Sequence, residues 1–268
     1  DMPFDQIAIN GKTYSTGLLL TPEHVKARFA RAGVPETIPA YTRDELIALA
    51  VPPESIREPI WIGDQDGQGA CTGFGSTGTI MECREDDGLP FVELSSGCTY
   101  GQINGQSDNG SNIGDSLETL MAHGTVPATV IGQLEWQSRR WPANWQVEAA
   151  KFRIVEAFLA PDFLSFLSGI ARGYNGVLGV QADNAFEPGS DGWLPDRNPT
   201  TRLNHCVRAL ARSVVYHPTR KVLGFKMPNS WNGWGYKNKG WCYFPESWFP
   251  VGFDECYLIR TTVHPSNE

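Results

Sequence analysis

The segment DQDGQGACTGFGST, residues 64–77, places Cys71 in a glycine-rich turn with apolar chain on both sides. A thiol in that position has three readings: a small apolar filler, the apex of a nucleotide-binding turn, or a nucleophile. Gly67, Gly69 and Thr72 imitate GxGxxG between a strand and a helix. That turn needs a βαβ continuation with an acidic residue closing the next strand, and here helix and loop follow instead. Nucleophilic chemistry has a different requirement. A free thiol with a pKa of about 8.5 is mostly protonated at neutral pH, and a helix N-terminus beside an imidazolium is the setting that ionises it. The run from Cys71 to about Arg84 is compatible with a helix, so the turn itself supplies half of that setting.

The other half is far along the chain. Gln65 stands six residues before Cys71, Gly69 two before it and Phe74 three after it; LNHCVRALA, residues 203–211, carries His205, and FKMPNSWNGWGYKNKGWCYFP, residues 225–245, carries Asn229 and Trp231. Between them lies FLSFLSGIARGYNGVLGVQA, residues 163–182. In these four ordered stretches the sequence resembles the papain-like cysteine peptidase family, over residues 51 to about 262. The family opens with a Gln and then Gly-x-Cys on a turn entering a central helix, and its His and Asn follow about 130 to 150 residues downstream. His205 lies 134 residues after Cys71 (205 minus 71) and Asn229 lies 158 after it (229 minus 71).

The resemblance implies an α+β, papain-like two-lobe fold, a helical lobe plus a β-barrel-like sheet lobe, with the active site in the cleft between them. It implies Cys71 as nucleophile, His205 as its acid and base, Asn229 as the residue that orients the imidazole, and Gln65 as an oxyanion donor together with the Cys71 N–H. For substrate binding it points to Gly110 on the cleft rim, Val180 and Leu203 in an apolar subsite, and Trp231 covering the His–Asn bond. It also implies that an N-terminal segment can run through the cleft in reverse and block it. Two departures stand out. Where the family has a disulfide in the helical lobe, this chain has Gln68 and a position near Asp108, and where the family prefers Trp after the nucleophile it has Thr72.

The elements that must position these residues can be read coarsely. Residues 1–50 form an N-terminal extension with two helix-like stretches, PEHVKARFARAG and TRDELIALA, split by the prolines of VPETIPAY. Its Leu18, Leu19, Leu20, Val25 and Phe29 are expected to pack on the lobes. Residues 51–160 read as the helical lobe, with PIWIG as a strand and helices from Cys71 and over GDSLETLMAHG; residues 161–268 read as the β-rich lobe, entered through the helix APDFLSFLSGIARG. There NGVLGVQA, HCVRALARSVVYH, KVLGFKMPNSW, GWCYFP and ECYLIRTTV read as strands.

Composition bounds the partners. With 268 residues and 41% hydrophobic content the chain can bury a large core. A net charge of -8 offers no basic patch, so nucleic acid and anionic membrane surfaces are not expected partners. No apolar run reaches the roughly 20 residues of a membrane span, and the first residues lack the order of a signal peptide; the compartment stays unassigned. Six cysteines at irregular spacing read as separate thiols without a CxxC pair, and no metal or cofactor is expected. His24, His123, His217 and His264 have no motif around them and read as surface or capped histidines. The expected function is hydrolysis of peptide bonds in a protein or peptide substrate. The alternatives are a papain-fold structural or binding component of a larger assembly with an idle site, and a bacterial cell-wall amide hydrolase.

Overall fold

The computed structural model describes residues 4–32, 38, 40–198, 202–249 and 255–259. The chain opens on a hairpin of β1 (Gln6–Ile9) and β2 (Lys12–Ser15), paired antiparallel with Ile7 opposite Tyr14. Asn10 and Gly11 turn it with φ of 51° and 76°, the two successive left-handed residues for which Asn-Gly is favoured. Residues 16–22 then run extended to α1 (Glu23–Ala32). Next comes α2 (Arg43–Leu49), which starts on a capping box formed by Thr42 and Glu45 and buries Leu46.

The extension packs on the body of the molecule, as expected of Leu18, Val25 and Phe29, which are buried; Leu19 and Leu20 instead remain 48% and 56% exposed. The break expected in VPETIPAY falls largely outside the described residues, as does His264. PIWIG is not a strand. No neighbouring strand pairs with it, Pro59 withholds a ladder donor, and Trp61 stacks on Phe74 at 5.9 Å.

The helical half consists of α3 (Cys71–Asp86), α4 (Ser96–Ile103), α5 (Ile113–Ala122) and the short α6 (Trp145–Ala149). Ser95 and Asn112 cap α4 and α5 through their side-chain oxygens. Helix α3 is buried along most of its length, and its glycines explain how. A Cβ at Gly73 would meet the Ser96 carbonyl of α4 at 2.8 Å, and one at Gly78 would meet the Arg208 guanidinium at 2.6 Å. Removing side chains there lets backbone and long side chains approach the helix.

The β-rich half contains β3 (Ala157–Leu159), α7 (Phe163–Ala171), β4 (Asn175–Val180), β5 (His205–Ala209), β6 (Val214–His217), β7 (Val222–Pro228), β8 (Trp241–Pro245) and β9 (Cys256–Ile259). They form two open antiparallel sheets, ordered β3-β9-β4-β5 and β6-β7-β8, without closing a barrel. The run HCVRALARSVVYH, read as one strand, divides between them. Leu210 N–H turns to the Lys226 carbonyl, Arg212 N–H to the Ile170 carbonyl, and Arg212 takes φ 55°, which carries the chain from one sheet to the other.

One core cluster fills the sheet side with Phe166, Phe186, Phe225, Phe244, Trp231 and Trp234. A second joins α3 and α5 to the first sheet and holds Cys71, Ile80, Leu117, Val177, Leu203 and Cys206. All six cysteines are buried and outside any disulfide. No helix among the described residues is long and apolar enough to cross a membrane.

Candidate active site

Cys71 is the first residue of α3 and His205 the first residue of β5. These two elements lie side by side, with Cys206 Sγ packed so closely on α3 that a Cβ at Gly75 would approach it to 2.7 Å. The backbone N–H groups of Cys206, Thr72 and Cys71 itself act to lower the Cys71 thiol pKa. The N-cap position, Ala70, contributes no side-chain acceptor, so the first-turn N–H groups of α3 are left to favour negative charge on sulfur. Thr72 hydrogen-bonds through its hydroxyl to that of Ser111, tying α3 to the loop before α5.

His205 Nε2 lies 2.7 Å from Asn229 Oδ1. The same oxygen accepts the Ser230 N–H at 2.7 Å, which fixes the amide with its oxygen toward the ring and makes Nε2 the donor. The protonated nitrogen is therefore Nε2, and Nδ1, which has no hydrogen-bond partner among the described residues, keeps its lone pair. Trp231 stacks on the imidazole at 4.3 Å, and Tyr14 stacks on the other face of Trp231 at 4.8 Å. Gln65 is held by Ser230, whose hydroxyl donates to Oε1 at 2.8 Å, while its own Nε2 donates to the carbonyls of Ser15 at 3.0 Å and Gln68 at 2.7 Å. His205, Asn229, Gln65 and Trp231 thus converge through Ser230 and the ring stack, and Cys71 shares a core cluster with Cys206, the residue after His205.

The chain's own N-terminal segment fills the space in front of them. Gly17 and Leu18 donate backbone N–H groups to the Asn204 carbonyl at 3.1 and 3.0 Å. Opposite, Ser111 N–H donates to Gly17 O and Leu19 N–H to Ser111 O, both at 2.9 Å. The Ser15 carbonyl takes N–H donors from both Gln65 and Trp231 Nε1. Leu18 lies against Gly179 and Leu203, where a Cβ at Gly179 would meet Leu18 Cδ2 at 2.8 Å. Cys71 and His205 are both fully buried.

Burial decides their protonation. It pushes the Cys71 thiol up to about 12 and the His205 imidazole down to about 4. The thiolate expected from the helix end and an imidazolium is therefore absent while the segment is in place, because desolvation outweighs three N–H donors. The closed site holds a neutral thiol and a neutral imidazole, and no thiol–imidazole hydrogen bond has formed.

The remaining expectations divide. Leu203 lines the apolar contact with Leu18. Val180 does not: its side chain packs with Phe186 and Trp231 in the sheet core, because alternation along β4 sends Leu178 and Val180 to one face and leaves Val177 and Gly179 facing the cleft. Gly110 abuts the segment, with the Gly17 carbonyl 2.3 Å from where a Cβ would stand, but its N–H goes to the Tyr100 hydroxyl, and Ser111 makes the backbone bonds. Ser111, Asn204 and Ser230 were missed, although Asn204 and Ser230 adjoin the residues that carried the resemblance. His24 and His123 are exposed, and His217 is half-buried against Asp191. No group of three or more His, Cys, Asp or Glu among the described residues could hold a metal ion.

No protein-family model and no curated protein sequence matches the chain. Solved structures do. Xylellain, a cysteine protease from Xylella fastidiosa, superposes with a TM-score of 0.66 at 19% identity, over 92% of this chain and 96% of that one. Digestive procathepsin L 3 from Tenebrio molitor larval midgut gives 0.60 at 13% identity, over 80% and 74%. The bromelain protease from Ananas comosus, solved in complex with the E64 inhibitor, gives 0.55 at 14% identity, over 74% and 92%. The fold of this chain is that of the papain-like cysteine proteases.

Proposed function

We propose that the chain is a cysteine peptidase that hydrolyses peptide bonds, with Cys71 as nucleophile, His205 as acid and base, Asn229 as orienting residue and Gln65 as oxyanion donor, and that the N-terminal segment holds it closed. The observation that carries this reading is the fixed His205 tautomer. Asn229 and Ser230 hold Nε2 as donor and leave Nδ1 free to receive a thiol proton at the end of α3. With water readmitted, the proton passes from sulfur to Nδ1, giving a thiolate and an imidazolium. Sulfur attacks the carbonyl carbon, and the oxyanion takes the Gln65 Nε2–H now given to Ser15. Collapse expels the amine with the proton from His205, and water, deprotonated by His205, then cleaves the thioester to acid and thiol.

The segment's direction fits inhibition rather than cleavage. Leu18, in the apolar contact, follows Ser15, whose carbonyl sits on Gln65. In a substrate of the family the residue in the apolar subsite precedes the reacting carbonyl. An idle scaffold is the second reading, favoured by the neutral, fully buried thiol.

A panel of peptide and cell-wall amide substrates, run on Gly17→Ala, whose added Cβ would meet the Gly69 carbonyl and lift the segment, and on the same chain with Cys71→Ala or Asn229→Ala, separates the readings. Hydrolysis lost in Cys71→Ala and weakened about a hundredfold in Asn229→Ala is the expected result. Cys71 should also alkylate with iodoacetamide faster than the other five thiols once the segment is displaced. Equal reactivity of all six with the fold intact would leave the idle scaffold.

A further inference from the structure

A connection in the helical lobe does the work of a cross-link that this sequence lacks. Gln68 and Asp108 stand where the family resemblance places a disulfide. In its place, Asp108 Oδ1 accepts the backbone N–H of Gly69 at 2.9 Å and the Tyr100 hydroxyl at 2.7 Å, and the Tyr100 oxygen in turn accepts the Gly110 N–H at 3.1 Å. One carboxylate oxygen therefore joins the turn two residues before Cys71 to the residue before Ser111.

The two joined strands of backbone are close. A Cβ on Gly69 would stand 3.2 Å from Gly110 N, and one on Gly17 would stand 2.1 Å from Gly69 O. Tyr100 is fully buried on α4, with its Cβ 2.8 Å from where a Cβ on Gly73 of α3 would lie, so the hydroxyl that relays the bond is anchored on the nucleophile's own helix. Asp108 is half-buried and the carboxylate carries charge-assisted bonds, which are roughly twice as strong as neutral ones.

Resting on the peptidase reading, we propose that Asp108 is a positioning residue. Through Gly69 and the Tyr100–Gly110 relay it sets the gap between the nucleophile's turn and the Ser111 edge on which an extended chain is held. Ser111 now bonds Gly17 and Leu19; a substrate backbone would use the same two groups. Among the described residues no hydrogen bond joins Asp108 to the sulfur or to the bound segment, so its effect is on the alignment of a held peptide rather than on the reactivity of the thiol.

The test compares Asp108→Ala, Asp108→Asn and Tyr100→Phe in the full chain carrying Gly17→Ala, whose added Cβ would lie 2.1 Å from the Gly69 carbonyl oxygen and so displaces the segment; that chain is the reference in each comparison. Asp108→Asn keeps an oxygen acceptor for Gly69 and Tyr100. Asp108→Ala removes it, and Tyr100→Phe breaks only the relay to Gly110. Peptide hydrolysis should fall about tenfold or more in kcat/KM for Asp108→Ala and for Tyr100→Phe, since a small misplacement of reacting groups is costly, while Asp108→Asn stays within about threefold of the reference. Alkylation of Cys71 by iodoacetamide, which needs no held peptide, should stay near the reference rate in all three.

Amide hydrogen exchange reads the tie without any activity. Protection at Gly69 and Gly110 should drop in Asp108→Ala and persist in Asp108→Asn, with the amides of the two sheets unchanged as the control for folding. If the Gly17→Ala chain, with its segment displaced, hydrolyses no peptide but the exchange pattern holds, the peptidase reading fails and the tie stands. Undiminished hydrolysis in Asp108→Ala, or unchanged exchange at Gly69 and Gly110, overturns the proposal.

Discussion

At the scale of single residues, Gly17 is the point on which closure turns. Its backbone sits between Gly69 and Gly110, and an added Cβ would lie 2.1 Å from the Gly69 carbonyl oxygen. Backbone on both sides leaves no flexible side chain to yield. Gly17→Ala should therefore lift the segment out of the cleft while leaving Ile7, Ile9 and Tyr14 of the hairpin in the core. The expected outcome is alkylation of Cys71 at least about tenfold faster than in wild type, because the thiol regains water and its pKa falls back toward its ordinary value. An unchanged rate would mean that something other than this segment buries the thiol. The candidate residues were legible from the sequence, since Cys71, His205, Asn229 and Gln65 each stand inside a recognisable local motif. The closed state was not legible. Gln65 and Ser15 are 50 residues apart, and no local pattern announces that a serine carbonyl will occupy a glutamine amide.

At the scale of elements, α3 and β5 carry Cys71 and His205, the proposed nucleophile and base, and a buried ion network fixes one against the other further along both. Glu82 of α3 pairs with Arg208 of β5 at 3.3 Å and with Arg57 at 2.5 Å, and Arg208 also donates to the Trp61 carbonyl at 2.8 Å. Arg208 and Glu82 have side chains 3% and 1% exposed. Removing one member leaves a charge that water cannot reach, so Glu82→Ala should cost about 3 kcal/mol in a urea unfolding titration. Lys239→Ala, which breaks the exposed pair with Glu58, should cost under about 1 kcal/mol. Equal losses would show that the network does not clamp the two elements. The sequence reading recovered α3, α5, α7 and four of the strands, because period and end signals are local. It missed β1 and β2 despite the Asn10-Gly11 signal, having read residues 1–50 for helices only, and it ran β5 into β6. There the two stretches are equally apolar, and what divides them is which sheet each joins.

For the whole molecule, closure couples the N-terminal segment to both halves, and its pH dependence follows from what it buries. His205 titrates at about 4 when closed, against 6.5 in water. In Cys71→Ala, where no thiolate can pair with the imidazole, the open form takes up a proton below pH 6.5 that the closed form refuses, so closure loses stability as pH falls from 6.5 toward 4, by about 3 kcal/mol in all. In wild type Cys71 acts at the other end: burial holds its thiol up at about 12 when closed, and the open form gives up a proton sooner, so closure weakens as pH rises into the alkaline range. Glu255 opposes the acid effect. It is buried, accepts from Thr21 N–H and hydroxyl at 2.6 and 2.8 Å, pairs with Lys26, and burial raises its pKa, so its protonation favours the closed form as pH falls. Hydrogen exchange at the Gly17 and Leu18 amides, both bonded to Asn204, reads opening directly. After correction for the intrinsic exchange rate, those two amides should be less protected at pH 4.5 than at pH 7 in the Cys71→Ala chain, in which His205 titrates alone. Glu255→Gln should steepen the difference and His205→Asn should abolish it. A loss of protection at pH 4.5 that survives in His205→Asn would place the acid response elsewhere and leave burial of this imidazole without a role in opening.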